Sequence, residues 1–243
     1  MDSVAGASPR KLARAAGALY LINIVAGAFA IGIVHAMLFV PDPAATAHNI
    51  QTHELLYRSS LVAHIAVTVT NVPLAVIFYE LFKVVNQRLA LLDAFFTLVA
   101  TAIEAAGILT QFAPLALLDS KPYTSALPAT QSQMLAYLPS DLSAIDYDIY
   151  TVFFGLDLIC VGYLLLRSTF LPTTIGVLTA IDGLAYLANS FTDLLAPGFA
   201  AHLVPWIQLP AILGEGSLCL WLLVVGLDAE RWRMRAGLRD SRV

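Results

Sequence analysis

SSLVAHIAVTVTNVPLAVIFYELF, residues 59–82, is a stretch in which Glu80 is the single charged residue. A helix that crosses the hydrocarbon core of a bilayer needs about 20 mostly apolar residues. The stretch meets that length, and its polar residues are too few and too scattered for a surface helix of a soluble protein. It is therefore predicted to be a membrane-spanning helix.

Five further stretches have the same character, and the composition of the whole chain agrees with them. The 243 residues are 59% hydrophobic and 12% charged, with a mean hydropathy of +0.78, whereas soluble proteins carry about 25% charged residues. We predict an all-α, polytopic membrane helix bundle that forms a single integral membrane domain over residues 1–243. Its six transmembrane helices are predicted at 17–40, 59–82, 89–118, 146–167, 172–195 and 204–227.

Lysine and arginine are distributed unequally between the two sides of this predicted bundle. Only Arg58 and Lys121 fall on one side. Because cytoplasmic loops are enriched in Lys and Arg, both termini are predicted to be cytoplasmic, as a basic N-terminus (1–16) and a basic tail (228–243). The cytoplasmic group is Arg10, Lys11, Arg14, Lys83, Arg88, Arg167, Arg231, Arg233, Arg235, Arg239 and Arg242.

Two segments on the predicted outer side are longer than simple connections. Residues 44–57 are too short to span and are predicted to form an amphipathic helix on the outer surface. Glu54 and Arg58 are four residues apart, so they can form an ion pair on one helical face. The segment 119–145 contains three prolines and is predicted to be a long loop, in which Thr130 followed by Gln133 resembles a capping box for a short helix.

Four acidic residues fall near the middle of predicted spans: Glu104, Asp157, Asp182 and Glu215. An ionised acid at the centre of a bilayer costs about 2.5–3.5 kcal/mol. No lysine or arginine lies at that depth to pair with them. The four acids are therefore expected to be protonated, to share protons, to contact water or to bind a cation.

Other polar residues follow helical spacing outward from this level, which places them on the same faces as the acids. A single such residue usually bonds a neighbouring helix, worth about 0.6 kcal/mol, so the prediction rests mainly on the acids. If the faces turn inward, they enclose a polar cavity open to the outside. The predicted ligand- or proton-binding residues are Glu215, Asp182, Asp157, Glu104, Asn71, Asn189, Tyr186, Gln111 and Gln208, and the predicted outer-surface residues are Glu54, Arg58, His64 and Asp193.

Short motifs along nearly the whole chain resemble a bacterial membrane family, domain-of-unknown-function family 4386. The resemblance implies a multi-pass protein of the bacterial cytoplasmic (inner) membrane and no particular activity. Many relatives have a basic residue where this chain has Thr97. The motifs are Arg10-Lys11 with Arg14, Gly17 and Tyr20; Ala47, Asn49-Ile50, Glu54 and Arg58; Tyr79, Leu81-Phe82-Lys83 and Asn86; Phe153-Phe154-Gly155-Leu156, Gly162-Tyr163-Leu164, Arg167-Ser168, Pro172 and Gly176; and Pro210, Gly214-Glu215 and Leu220-Trp221-Leu222-Leu223.

The favoured hypothesis for function is a non-enzymatic binding or transport protein for a small cation or an amphipathic ligand, with the proton as a candidate coupling ion. Its expected partners are the lipid bilayer, with bound lipid, and that ligand. No basic, aromatic-rich pattern predicts nucleic-acid binding, and no cofactor is predicted.

Two alternatives belong to other classes. In the first, His53, His64, His202, Asp146 and Asp193 supply weak candidate ligands for zinc in an intramembrane hydrolase of a lipid ester or amide. The chain contains no HExxH or GxSxG motif to support that reading. In the second, the protein is a structural or regulatory subunit whose acids bind a basic helix of a partner.

Overall fold

The computed structural model describes residues 8–119 and 121–237, which are almost entirely helical and contain no β-strand. Residues 1–7 of the predicted basic N-terminus and Arg239 and Arg242 of the predicted tail lie outside the described residues. The helices are α1 (Pro9–Gly27), a π-helical segment (Ala28–His35), α2 (Ala36–Leu38), α3 (Pro43–Thr52), α4 (Glu54–Gln111), α5 (Ala113–Asp119), α6 (Lys121–Ala126), α7 (Ala129–Arg167), α8 (Thr173–Leu195), α9 (Pro197–Leu203), a 3₁₀ turn (Trp206–Gln208), α10 (Leu209–Val224) and α11 (Ala229–Arg235).

Helix α4 is a hairpin of two helical arms rather than one straight rod. A straight helix of its 58 residues would be about 87 Å long. The backbone leaves the helical region at Asn86 (φ −155°, ψ 105°), and the Asn86 side chain caps the second arm by accepting from the Leu89 N–H at 3.1 Å. Tyr57 Oη donates to the Gln111 carbonyl at 2.6 Å. The arms 54–85 and 87–111 therefore lie side by side.

Four helical segments of the described ranges are long and apolar enough to cross a membrane: Pro9–Leu38, Glu54–Asp119, Ala129–Arg167 and Trp206–Val224. The second of these contains the hairpin, and so it includes two of the predicted spans. Helix α8 forms where the fifth span was predicted, but it is not among the four. Its polar residues Asp182, Asn189 and Asp193 lower its hydropathy. The six-span topology remains a prediction.

The outer segments differ from the sequence prediction in two places. Helix α7 begins at Ala129, so much of the predicted 119–145 loop is helical; Pro128 stands just before the helix, where a missing N–H costs nothing. The predicted surface helix 44–57 is broken at His53 (φ −119°, ψ 40°), between α3 and α4. Glu54 and Arg58 do form the expected pair, at 2.5 Å.

Apolar side chains cover the outside of the bundle, and several polar ones are buried inside it. Val62, Val69 and Val76 on one face of α4 are 65%, 63% and 55% exposed, whereas Asp93 and Asp182 are 0% exposed. A protein in water would be more stable with polar side chains outside and apolar ones inside. In a bilayer, by contrast, acidic side chains face the interior of the bundle.

Two apolar clusters lie at opposite ends of the bundle. One contains Phe82, Leu164 and Leu222, and the other contains Leu38 and Leu61. The first cluster is at the end that collects most of the basic residues, and we call it the basic end. Backbone carbonyls tie that end together: they accept hydrogen bonds from Arg14 (Val224, 3.1 Å), Arg231 (Thr169, 3.2 Å) and Trp232 (Leu81, 2.9 Å).

Candidate functional site

A cavity of about 750 Å³ lies between the two apolar clusters. It extends from His35 and Asp141, near the end opposite the basic end, to Asp157 in the C-terminal half of α7 and Glu215 near the middle of α10. Helices α1, α4, α7, α8 and α10 all contribute to its walls. Its polar lining residues are Tyr20, Asn23, His35, Tyr57, Ser60, His64, Asn71, Thr97, Glu104, Gln111, Ser140, Asp141, Ser143, Asp146, Tyr147, Tyr150, Asp157, Tyr186 and Glu215.

Glu215 lies at the deep end of the cavity, where side chains from two other helices hold it. Tyr20 Oη of α1 donates to Glu215 Oε2 at 2.9 Å, and Tyr186 Oη of α8 donates to Oε1 at 2.9 Å. The neighbouring Gly214 allows this approach, because a Cβ there would lie 2.8 Å from the Cβ of Asp182. The carboxyl of Glu215 is thus fixed at the junction of three helices.

Asp157 forms a second polar cluster at the same depth. Thr97 Oγ1 donates to Asp157 Oδ1 at 2.7 Å. The side chain of Asp93 is 0% exposed, and neither of its carboxyl oxygens has a hydrogen-bond partner among the described residues. Thr97 supplies a neutral donor to Asp157 here.

Nearer the opposite end, Glu104 and Asp146 line the cavity from α4 and α7. Glu104 Oε2 is buried and has no hydrogen-bond partner among the described residues. On the α1 side of the cavity, Asn23 Nδ2 donates to Asn71 Oδ1 at 2.5 Å. The cavity therefore has acidic groups on one wall and amides on another.

The charge of the lining has one sign. Among the lining residues of the described chain there are acids and two histidines but no lysine or arginine. Negative groups facing a space with low-dielectric walls attract and concentrate cations. The acids are Glu104, Asp141, Asp146, Asp157 and Glu215.

Aromatic rings line the cavity, and two of them contact Glu215. Tyr20 packs edge-on against Phe78 with ring centroids 6.5 Å apart. Tyr150 stacks on Phe154 at 5.4 Å, and Phe154 meets Tyr186 edge-on at 5.5 Å. All five rings line the cavity, and we call this set the aromatic collar. Its two tyrosine hydroxyls are the groups that bond Glu215.

The structure brings most of the predicted site residues to this cavity and leaves others elsewhere. Asp182 is fully buried behind Gly214 rather than in the lining. Asn189 Nδ2 donates to Asp193 at 3.3 Å, and Gln208 is exposed in the 3₁₀ turn before α10. Predicted residues in the lining are Glu215, Asp157, Glu104, Asn71, Tyr186, Gln111, His64 and Asp146.

The candidate zinc ligands are dispersed. His53 lies in the break before α4 and His202 in α9; both side chains are exposed and contact backbone carbonyls of their own segments, at 3.2 Å and 3.0 Å. In residues 8–119 and 121–237, no three His, Cys, Asp or Glu side chains are grouped so as to hold a metal ion. A zinc-dependent reaction thus has no visible ligand set in that part of the chain.

Several cavity residues were not predicted as site residues, and Tyr20, Asn23, Phe78 and Phe154 are four of them. Tyr20 and Asn23 belong to the first predicted span, and Phe78 and Phe154 to apolar stretches. Tyr20 and Asn23 are three residues apart and so share a helical face, which is the signal that could have found them. Phe78 and Phe154 carry no such signal, because a phenylalanine in an apolar run is most often a packing residue.

These features define an all-helical protein with helices long and apolar enough to cross a membrane and with a buried acidic, aromatic cavity. The family described as a domain of unknown function (DUF4386) matches residues 15–226. The chain belongs to this family, in agreement with the motifs of its sequence. No curated protein and no solved structure matches it.

Proposed function

We propose that this protein binds a small or amphipathic cation in the cavity, with Glu215 as the main anionic group, and that it serves binding or transport across the membrane. The observation that carries the proposal is the lining itself: the described residues contribute five acids to it and no lysine or arginine. A neutral or anionic ligand would leave that negative charge uncompensated in a low-dielectric space.

Proton coupling is a part of the proposal that follows from the same groups. A buried carboxyl without a cation is most stable when protonated. A cation that arrives at Glu215 or Asp157 therefore displaces a proton, and one that leaves allows a proton to return. Such an exchange links cation binding to the proton concentration of the side to which the cavity opens.

We further propose that the chain spans the cytoplasmic membrane six times, with the basic end in the cytoplasm and the cavity opening outward. The unequal placement of lysine and arginine supports this orientation. The arms 54–85 and 87–111 each exceed the about 20 residues that a span requires. Helix α8, with 23 residues, is also long enough, and its polar face is turned into the bundle.

Reporter fusions test the topology. A reporter that is active only in the cytoplasm is expected to be active when fused after residue 243 or within 83–88, and inactive within 119–145. A periplasmic reporter should give the opposite pattern. Cytoplasmic activity of the 119–145 fusion would overturn the proposed orientation.

Cation-dependent stability tests the binding proposal. Purified protein in maltoside micelles at pH 8 is melted with increasing sodium, potassium or tetramethylammonium chloride, and the three series are compared at equal ionic strength. A ligand at ten times its Kd adds about 1.4 kcal/mol to the free energy of unfolding, which raises Tm by about 3–5 °C. We expect at least one cation to give a saturable increase in the wild type.

The matched variant is Glu215→Gln, which keeps the shape and the hydrogen-bonding capacity of the side chain but removes its charge. Its saturable increase should be absent or much reduced. Equal increases in the two proteins, or no saturable increase with any of the three cations, would contradict the proposal.

A further inference from the structure

We infer that the ligand is an amphipathic organic ammonium ion, with its cationic head inside the aromatic collar beside Glu215 and its apolar part directed toward the lipid. The inference rests on the proposed function and specifies the chemical class of its ligand. Three features support it: the collar, the absence of a metal-ligand cluster among the described residues, and an opening in the cavity wall.

The collar has the composition of a site for a diffuse positive charge. The faces of Tyr and Phe rings attract ammonium groups within about 6 Å, most strongly for alkylated ammonium ions in cages of several rings. The five rings of the collar come from α1, α4, α7 and α8, they all line the cavity, and two of them bond the Glu215 carboxyl. Tyr20 and Tyr186 are held in place by their bonds to Glu215. The rings and the anion are thus preorganised together.

A bare metal ion has poorer partners here. Calcium and similar ions need about six to eight oxygen ligands, and the described residues contain no group of three acidic, histidine or cysteine side chains that could begin such a set. Both oxygens of Glu215 already accept hydrogen bonds from phenols. The volume of about 750 Å³ is in the range of cavities that hold drug-sized organic molecules.

The cavity wall is open between the first helix and α10. Ile31 and Ile212 line the cavity, yet they are 49% and 68% exposed. A Cβ added at Gly27 or Gly216, which also line it, would meet no atom within 4 Å. Such a gap faces the lipid in a bilayer, so it can admit the apolar part of an amphipathic ligand.

Isothermal titration calorimetry with three probes tests the inference on full-length protein in maltoside micelles. The probes are choline, hexyltrimethylammonium and 3,3-dimethylbutan-1-ol, in which carbon replaces the charged nitrogen of choline. Sodium chloride is titrated in parallel. Hexyltrimethylammonium is expected to bind most tightly, followed by choline, and the neutral analogue should bind at least tenfold more weakly than choline.

Two phenylalanine variants test whether the ammonium probes bind at the aromatic collar. Phe154→Leu keeps an apolar side chain but removes the ring face, and it should weaken hexyltrimethylammonium binding roughly three- to thirtyfold. Phe95→Leu is the matched control, because Phe95 is 57% exposed on the outside of the bundle and does not line the cavity. It should bind as the wild type does. Thermal unfolding of each variant verifies that it is folded.

The possible results separate this inference from the proposed function. If sodium binds in a manner that depends on Glu215 while the ammonium probes bind no better, the inference is overturned and the proposed function stands. If choline and its neutral analogue bind equally, or if Phe154→Leu and Phe95→Leu behave alike, the inference is also overturned. If no cation binds at all, both fail.

Discussion

Gly17→Leu is expected to prevent α1 from packing against α10. A Cβ at Gly17 would lie 2.7 Å from Leu223 Cα and 2.9 Å from the Leu222 carbonyl carbon, both backbone atoms that cannot move aside. The Cys219 thiol is 3.6 Å from the Gly17 carbonyl, which reflects the same close approach. Overpacking by a single methyl or methylene group costs about 1–3 kcal/mol. The larger leucine should exceed that and abolish the yield of monodisperse protein.

Two alanine variants measure how closely α1 and α10 approach at Gly17. Gly17→Ala should fold but lose about 1–3 kcal/mol of its free energy of unfolding, measured by unfolding in detergent. Gly32→Ala is the control in the π-helical segment, where an added Cβ meets no atom within 4 Å, and it should unfold like the wild type. If Gly17→Ala also matched the wild type, the described contact between α1 and α10 would be wrong.

The second large effect is expected for Glu215→Leu. The substitution removes the acceptor for the Tyr20 and Tyr186 hydroxyls, which bond Glu215 inside the bundle. Each stranded hydroxyl costs about 1–3 kcal/mol. We expect a loss of roughly 2–6 kcal/mol in the free energy of unfolding, whereas Glu215→Gln should stay near the wild-type value because the amide can bond both phenols.

A compensated variant separates the stranded hydroxyls from other effects of leucine. In Glu215→Leu combined with Tyr20→Phe and Tyr186→Phe, all three members of this hydrogen-bonded cluster become apolar, and replacing both sides of a hydrogen bond by apolar groups is nearly neutral. This triple variant should recover most of the lost stability. Equal stability of Glu215→Leu and Glu215→Gln would show that the two phenol bonds do not hold the helices together.

The helical class of the fold could be predicted from the sequence because the length of an apolar run is a local property. The turn at Asn86 falls inside the polar segment 83–88 between the second and third predicted spans. The Asn86 side chain caps the helix that follows the turn. The capping-box pattern at Thr130 and Gln133 predicted a short helix near the start of α7, but its continuation as one helix to Arg167 could not be predicted in the same way. Prolines usually indicate a loop, but Pro139 is accommodated within a helix where it is buried.

The depth of the acidic residues along the helices could also be predicted from the sequence. The rotation of each helix about its own axis could not. Helix α8 shows the difference. Its polar stripe is real, yet Tyr186 lines the cavity while Asp182 packs behind Gly214 and Asn189 bonds Asp193. The rotation of a helix about its axis depends on where its neighbours have small residues. The periodicity of polar residues within that one helix does not contain this information. For the same reason the partners of Glu215 were not foreseen individually.

The most direct test of the central claim is to locate a cation in the cavity. Crystals of the wild type and of Glu215→Gln would be grown with tetraethylarsonium, an analogue of a quaternary ammonium ion whose arsenic atom gives an anomalous signal. We predict one peak in the cavity of the wild type, beside Glu215 and within about 6 Å of the rings of the collar, and no peak there in the variant. An empty cavity in the wild type, or an equal peak in Glu215→Gln, would contradict the claim that this cavity holds a cation at Glu215.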